Sequence, residues 1–247
     1  MRILVAIDDT DNLESRGTGA IASLIAEALQ QNGWGSSSFI TRHQLLVHPE
    51  IPYTSHNSSM CFPAKISEGC LDQVIAFTSR FLEQECAEGS DPGLCVAVLD
   101  RMGPASELIS FGQRAKLEIV TKSEAFDLAG RLGVHLSEHG GTGHGVIGAL
   151  AGAGLRLWGN DGRIKGSLQF ARPGALLRVA ELLGHPDVDA VRSVEGDVLC
   201  AEDLVVLGEK VKTVMRDGTS VLLVSAVKLA GSEASWQTLL RKELREY

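Results

Sequence analysis

Three aspartates directly follow the first apolar segment of the chain. Residues 3–7 are apolar, and IDDTD at 7–11 adds Asp8, Asp9 and Asp11. The carboxyl end of a strand is where α/β sheets place ligands. In an extended strand Asp8 and Asp9 point to opposite faces, but a turn starting at Asp9 would bring Asp8 and Asp11 together. Carboxylates that close repel each other and favour a bound cation, of which magnesium carried by nucleotide phosphates is the natural candidate. The alternative is that Asp9 or Asp11 caps a turn or helix while the others lie at the solvated rim.

The second stretch whose residues could take part in chemistry is SRGTGA at residues 15–20. Gly17 and Gly19 flank Thr18, where the apolar spacing of residues 18–29 predicts that a helix begins. A helix N-terminus carries free N–H groups and partial positive charge, and it therefore attracts phosphate. Thr18 is either an ordinary N-cap or a hydroxyl placed where a phosphoryl group is transferred.

The third stretch, HGGTGHGVIGALAG at residues 139–152, is rich in glycine. It matches neither the P-loop nor the dinucleotide-binding pattern, but its glycines allow backbone N–H groups to approach an anion or a base. His139 and His144 could donate hydrogen bonds to phosphate, and their spacing across glycines is poor for a metal pair. The alternative is a glycine-rich helix start that packs tightly against a sheet.

The composition limits the class of protein. A formal net charge of −8 over 247 residues argues against a broad basic surface for nucleic acid. No apolar run reaches the length of a membrane helix, and the N-terminus lacks a secretory signal, so we expect a cytoplasmic protein. Structural zinc is not expected, because no two of the five cysteines form a C-x-x-C pair: Cys61, Cys70, Cys86, Cys95 and Cys200.

Strand and helix patterns alternate in the first half, and the sequence predicts an α+β (mixed α/β) protein of two layered sandwich domains, 1–125 and 126–247. Strands are predicted at 2–7, 38–47, 58–66 and 93–100, and helices at 18–29, 71–83 and 123–132. In the second half we predict a hairpin turning at 160–162, a helix over 173–184, two or three strands between 203 and 227 with an Asp217-Gly218 turn, and a closing helix over 233–247.

Four motifs occur in an order that resembles a known family. MRILVAIDDTD, RGTGA, HPEIPYTSHNS at 48–58 and GTGHGVIGALAGAG at 141–154 look like the archaeal isoleucine-tRNA 2-agmatinylcytidine synthetases. The resemblance implies an enzyme that uses ATP to phosphorylate the C2 carbonyl of a cytidine, after which agmatine displaces the phosphate. It also implies a kinase-type domain joined to a ferredoxin-like domain, which we assign to residues 1–125 and 126–247. In the family an OB-fold and a zinc ribbon follow and hold the tRNA.

The resemblance assigns roles to individual residues. Magnesium would be held by Asp8, Asp9 and Asp11, and the catalytic residues would be Thr18 and Asp8. The nucleotide-binding residues would be Asp9, Thr10, Gly17, Gly19, Gly143, His144, Gly145 and Gly148. An acidic pocket would also suit a cationic amine such as agmatine.

The sequence departs from the family in several places. Thr54, Ser55 and His56 stand where the family has Lys-Thr-Arg, which removes two cations. Only Cys200 remains in the region where a zinc ribbon would lie, so we expect tRNA binding only with a partner chain. The leading hypothesis is an ATP- and magnesium-dependent, ligase- or kinase-like enzyme. The alternatives are a nucleotide- or amine-binding module without catalysis, and one subunit of a split RNA-modifying synthetase.

Overall fold

A computed structural model describes residues 1–51, 53, 56–227 and 236–247. The chain divides into two compact units, Met1–Trp158 and Gly159–Tyr247. No helix among the described residues is long and apolar enough to cross a membrane.

The first unit alternates strands with helices. In chain order its elements are β1 (Arg2–Asp8), α1 (Thr18–Gln31), β2 (Gly35–Ser37), β3 (Thr41–Gln44), β4 (Ser58–Ile66), a 3₁₀ turn (Glu68–Cys70), α2 (Leu71–Glu85), β5 (Gly93–Val98), α3 (Ala105–Arg114), α4 (Lys122–Leu132), β6 (His135–Glu138) and α5 (Gly145–Trp158).

The sheet of the first unit has the strand order β6-β5-β1-β4-β3, and β2 also pairs with β4. All of these pairs are antiparallel. The chain order β1-α1-β3-β4-α2-β5, with the spatial order β5-β1-β4-β3, is a ferredoxin-like βαββαβ arrangement. The structure therefore places this arrangement in the first unit, whereas the resemblance led us to expect it in residues 126–247.

Helices cover both faces of this sheet. Along β1, Ile3, Val5 and Ile7 pack in the same apolar cluster as α1 and α2. Leu4 and Ala6 point to the other face, where they pack in the cluster formed by α3, α4 and α5. Because both faces are buried, β1 is almost continuously apolar, and Asp8 is the residue at which this apolar run ends.

The glycines of α5 allow the helix to pack very closely against the sheet. A methyl group at Gly152 would overlap the side chain of Ser59 on β4, and one at Gly154 would overlap the main-chain oxygen of Leu108 on α3. Close packing of the helix outweighs the low intrinsic helix propensity of glycine.

The second unit is mostly strand. Its elements are β7 (Arg163–Ile164), β8 (Leu176–Arg178), α6 (Val179–Leu183), β9 (Ala190–Ser193), β10 (Leu204–Val206), β11 (Val214–Arg216), β12 (Thr219–Ala226), β13 (Trp236–Thr238) and a 3₁₀ turn (Glu243–Glu246). The strands pair in the order β7-β11-β12-β13-β10-β8, and β9 pairs with β12 in parallel. Its core includes Val179, Leu182, Val205 and Leu222.

Several expected boundaries differ from those observed. The domain boundary expected between residues 125 and 126 falls inside α4, whose residues Ala125, Leu128 and Leu132 pack in the same core cluster as Leu4 and Ala6 of β1. Of the strand predicted over 38–47, only residues 41–44 form one, β3, and β2 lies before the predicted segment. The sequence patterns did not indicate α3 or β6.

Three local predictions for the last hundred residues are wrong. The hairpin turning at 160–162 does not form, because α5 runs to Trp158 and Arg163 of β7 pairs with Val214 of β11. The helix over 173–184 is confined to α6, because residues 176–178 pair with β10. The closing helix is replaced by β13, which pairs with β10 and β12, and by a 3₁₀ turn; residues 233–235 lie outside the described residues.

Candidate active site

A cavity of about 560 Å³ lies in the first unit, where the end of β1 meets the beginnings of α1 and α5. Most residues predicted for the site line this cavity: Asp8, Asp9, Asp11, Gly17, Thr18, Gly19, His144, Gly145 and Gly148. Thr10 and Gly143 are not among the lining residues. The structure therefore brings the third motif, which lies more than a hundred residues further along the sequence, to the same place as the first two.

Asp8 is the innermost acid of the cavity and is buried, with 8% of its surface exposed. Burial raises the pKa of its carboxyl group to about 8, and the charges of Asp9 and Asp11 add to this effect. A methyl group at Gly148 would overlap this carboxylate, so only glycine lets the first turn of α5 approach Asp8 so closely. The carboxyl group is thus held against the start of a helix in a water-poor environment.

Asp9 adopts a left-handed backbone conformation with φ of 51°. This conformation ends β1 and begins the turn expected at this residue. Burial, together with the charges of Asp91 and Asp11, raises the pKa of Asp9 to about 6, and His144 opposes the shift. The carboxyl groups of this corner repel one another, and a bound cation would relieve that repulsion.

Asp11 accepts a hydrogen bond from the hydroxyl of Thr18 at 3.2 Å. Thr18 is the first residue of α1 and is not its N-cap; the N-cap is Gly17, which has no side chain to cap the helix. The N-terminal N–H groups of a 14-residue helix therefore border the cavity without a side-chain cap, beside a buried hydroxyl. This arrangement suits a phosphate group.

Asp91 is a residue of this corner that the sequence patterns did not indicate. Its carboxylate accepts hydrogen bonds from the main-chain N–H and the hydroxyl of Thr142, and its main-chain oxygen accepts one from Gly145 at 3.1 Å. His144 Nδ1 lies 3.9 Å from Asp91 Oδ2. Asp91 thus fixes the glycine-rich loop at the start of α5. It belongs to no local motif, and only the pairing of distant segments shows its position.

The other residues that line the cavity were not among the predicted site residues either. Two cations, Arg42 and Lys122, and two acids, Glu50 and Glu118, line it. The apolar part of the wall is formed by Leu45, Ile51, Tyr53, Met60, Ile119, Val120 and Ile147. The cavity therefore joins an acidic corner to an apolar wall, as a site for a molecule with a charged end and a less polar body would require.

The cavity lining does not include three further residues that the sequence analysis singled out, His139, Thr10 and Gly143. The side chain of His139 is 5% exposed, hydrogen-bonds Ser137 Oγ through Nε2 at 2.8 Å and pairs with Glu83 at 3.4 Å. Thr10 is buried, and its hydroxyl has no hydrogen-bond partner among the described residues. Gly143 lies against the side chain of Glu138. Of the segment in which the family has Lys-Thr-Arg, His56 lines the cavity, while Thr54 and Ser55 lie outside the described residues.

In the described part of the chain, no group of three or more histidine, cysteine, aspartate and glutamate side chains is arranged to hold a metal ion. Magnesium bound with a nucleotide does not need such a group, because the phosphates and water supply most of its ligands and one or two carboxylates suffice. Asp9 and Asp11, with hard oxygen atoms in a repulsive acidic corner, fit that requirement.

Comparison with known proteins agrees with the motifs. No protein-family model matches the chain. The isoleucine-tRNA 2-agmatinylcytidine synthetase of Methanosarcina acetivorans is 30% identical over 161 residues, which cover 63% of this chain and 36% of that protein. The synthetase of Methanosarcina mazei is 32% identical over 165 residues, with the same coverage. The chain is homologous to these synthetases over about 63% of its length. It spans little more than a third of the length of these curated relatives.

Solved synthetase structures share the fold. The crystal structure of the synthetase in complex with its isoleucine tRNA and ATP superposes with a TM-score of 0.55 at 21% identity, covering 81% of this chain and 49% of that one. The complex with the same tRNA, AMPCPP and agmatine gives a TM-score of 0.54 at 21% identity, covering 81% and 50%. The mixed α/β fold predicted from the sequence is confirmed.

Proposed function

We propose that this chain is an ATP- and magnesium-dependent enzyme of the ligase or kinase-like type, which activates an acceptor by phosphoryl transfer. The observation that carries the proposal is the acidic corner beside the uncapped N-terminus of α1, where Asp8, Asp9 and Asp11 share a cavity. Burial and mutual repulsion raise the pKa of Asp8 and Asp9, so this corner favours a cation. The adjoining helix N-terminus favours phosphate.

The phosphates of ATP are proposed to lie between the first turn of α1 and the acids. Asp9 and Asp11 would hold the accompanying magnesium ion, and Asp8 would add a carboxyl oxygen behind them. When bound, magnesium neutralises charge on the phosphates and stabilises the transferring phosphoryl group. Gly17 and Gly19 would leave the space that the N–H groups of the first turn of α1 need to reach the nucleotide, whereas Gly145 and Gly148 would contribute by letting α5 pack against Asp91 and Asp8.

Thr18 is proposed as the hydroxyl nearest to the transferred phosphoryl group. Its hydrogen bond to Asp11 fixes the hydroxyl oxygen beside the acid that would bind magnesium. If Thr18 accepts the terminal phosphoryl group, the bond to the β-phosphate would break, ADP would leave, and Asp11 is placed to take the hydroxyl proton. In that case Thr18→Val would remove the phosphorylated product, and mass spectrometry of the full chain after incubation with ATP would locate the phosphate.

The homology supports a tRNA-modifying, synthetase-like role. By this similarity, the proposed acceptor is a tRNA cytidine bound together with a partner chain. The proposed attacking group is a cationic amine such as agmatine. Glu50 and Glu118, which line the same cavity, would attract such an amine. One of the matched crystal structures holds the synthetase, its tRNA, AMPCPP and agmatine in a single complex.

Calorimetric titration of the full chain with ATP tests the proposal. We expect saturable binding in the presence of magnesium and much weaker binding in EDTA. The double variant D9N/D11N should lose the magnesium dependence and retain its thermal unfolding transition. Equal ATP affinity in wild type and double variant would refute the metal-nucleotide site.

Turnover separates an enzyme from a binding module. We expect ATP consumption when a tRNA and agmatine are both supplied, with a partner chain added as a separate arm. Tight binding of ATP without consumption in any arm would favour the nucleotide- or amine-binding module.

A further inference from the structure

Among the described residues, one lysine and one arginine line the cavity, Lys122 and Arg42. The contacts of these two side chains differ. Lys122 donates to the main-chain oxygen of Thr142 at 2.9 Å and pairs with Glu138 at 3.0 Å. Arg42 donates from Nε to the hydroxyl of Ser58 at 2.9 Å. A carboxylate compensates the charge of Lys122, whereas the hydroxyl that orients Arg42 does not compensate its charge.

Arg42 is held in place by the sheet. It lies on β3 opposite Met60 of β4, and Ser58, which orients its guanidinium, begins β4 and is itself buried. Burial lowers the pKa of Arg42, while the charge of Asp11 acts in the opposite direction. Arg42 therefore borders the part of the cavity that contains Asp11 and, through its hydrogen bond, Thr18.

We propose that Arg42 binds the terminal phosphate of the nucleotide and that Ser58 is a positioning residue for its guanidinium. This inference rests on the proposed function, which puts the phosphates at the Asp11–Thr18 end of the cavity. With Nε directed at Ser58, the two Nη groups are the donors that suit phosphate oxygens, since a guanidinium binds phosphate in a planar, bidentate manner. The sequence of this chain lacks the lysine and the arginine that the family has after Ile-Pro-Tyr. Arg42 would supply a cation to the phosphates in their place.

Affinities of the Arg42→Gln variant for ATP, ADP and AMP test the assignment, measured by calorimetry on the full chain with magnesium. A lost charged contact to the terminal phosphates should lower ATP affinity about 10- to 100-fold. AMP affinity should change by less than about 3-fold, because AMP lacks those phosphates. Arg42→Lys should restore part of the ATP affinity, since lysine keeps the charge and loses the bidentate geometry.

Two further variants complete the design. Ser58→Ala should weaken ATP binding by about 3- to 10-fold, less than Arg42→Gln, because the guanidinium remains but is less well oriented. Arg192→Gln, which removes an arginine of the second unit that pairs with Asp217, is the matched control and should leave all three affinities unchanged.

The outcomes separate this inference from the proposed function. Equal losses for ATP, ADP and AMP in both Arg42 variants, or an unchanged ATP affinity in Arg42→Gln, would overturn the inference while wild-type binding of ATP upholds the proposed function. Absence of ATP binding by the wild-type chain would refute the proposed function and the inference with it.

Discussion

In the part of the chain that the structure describes, two residues other than glycine have positive φ. They are Asp9 in the first unit, with φ of 51°, and Asp217 in the second unit, with φ of 50°. Asp217 and Gly218 form the two-residue loop between β11 and β12. Hairpins of this kind require positive φ at both loop positions, and Asp-Gly is a preferred pair. The exposed Asp217 carboxylate pairs with Arg192 at 2.8 Å. Local turn geometry and an ion pair therefore account for its conformation.

Asp9 has the same backbone conformation without a hairpin to explain it. Its carboxyl group is surrounded by other acids, and burial together with Asp91 and Asp11 raises its pKa. An unusual backbone conformation that local sequence does not require is often retained because a binding site requires it. The difference between the two aspartates shows why the conformation alone indicates nothing, whereas the conformation together with uncompensated charge indicates a site.

The largest expected effect is on stability, and it is expected at Asp8, the buried neighbour of Asp9. The unfolded chain loses the Asp8 proton near the usual pKa of 3.8, whereas the folded chain keeps it until about pH 8. The folded state binds more protons in this interval, so the free energy of unfolding should fall as the pH rises from about 4 to about 8, by up to about 5 kcal/mol. Below this interval the contribution of Asp8 is fully stabilising.

Asp8→Asn should remove most of this pH dependence, leaving the smaller part that comes from Asp9, and give a more stable protein at pH 8. Urea unfolding at pH 5 and pH 8, in EDTA and without nucleotide, measures it. Asp217→Asn is the control, because an exposed ion pair contributes less than about 1 kcal/mol. If wild type and Asp8→Asn lose stability equally between the two pH values, Asp8 is not the group responsible.

The next effect concerns the space beside Asp8. A methyl group at Gly148 would overlap the Asp8 carboxylate, so Gly148→Ala should lower the free energy of unfolding by about 1–3 kcal/mol and weaken ATP binding. Gly130→Ala on α4 is the matched control, because nothing lies within 4 Å of the added methyl group. That control should raise stability by up to about 1 kcal/mol. Equal stability of the two variants in urea unfolding would contradict the close approach of α5 to Asp8.

A direct test of the contrast replaces each aspartate by asparagine, which tolerates the left-handed conformation and carries no charge. We expect Asp9→Asn to lower the affinity for ATP with magnesium about 10- to 100-fold, because one charged contact to the cation is lost. Asp217→Asn should leave the affinity unchanged. Calorimetric titrations of the two variants in the same buffer give the comparison, and similar affinities would remove the distinction between the sites.

Local patterns predicted much of the first unit. β1, α1 and β4 carry their own periodicity and end signals. In the second unit, the Asp217-Gly218 turn is a short-range signal that the structure confirms. The three site motifs were identified because each is unusual by itself, an acid cluster or a run of glycines. That they meet at one cavity depends on the pairing of β1 with β4 and β5, which no single segment specifies.

The patterns failed where tertiary contacts decide the structure. Residues 236–238 have a helix-compatible sequence, but they pair with β10 and β12, because a strand position in an existing sheet outweighs intrinsic propensity. Asp91 and Arg42 belong to no motif, and each enters the site through a partner distant in sequence, Thr142 and Ser58 respectively. Residues of this kind become recognisable only after the sheet is known.

The smallest expected effect is at the hairpin itself. Asp217→Ala puts a residue with a Cβ and no polar side chain in the left-handed region, which costs about 1 kcal/mol, and it also removes the pair with Arg192. The melting temperature should fall by a few degrees, and ATP affinity should not change. Asp217→Gly separates the two causes, because glycine accepts positive φ but cannot pair with Arg192. If the glycine variant is as unstable as the alanine variant, the ion pair holds this turn, and the explanation of Asp217 by backbone geometry is wrong.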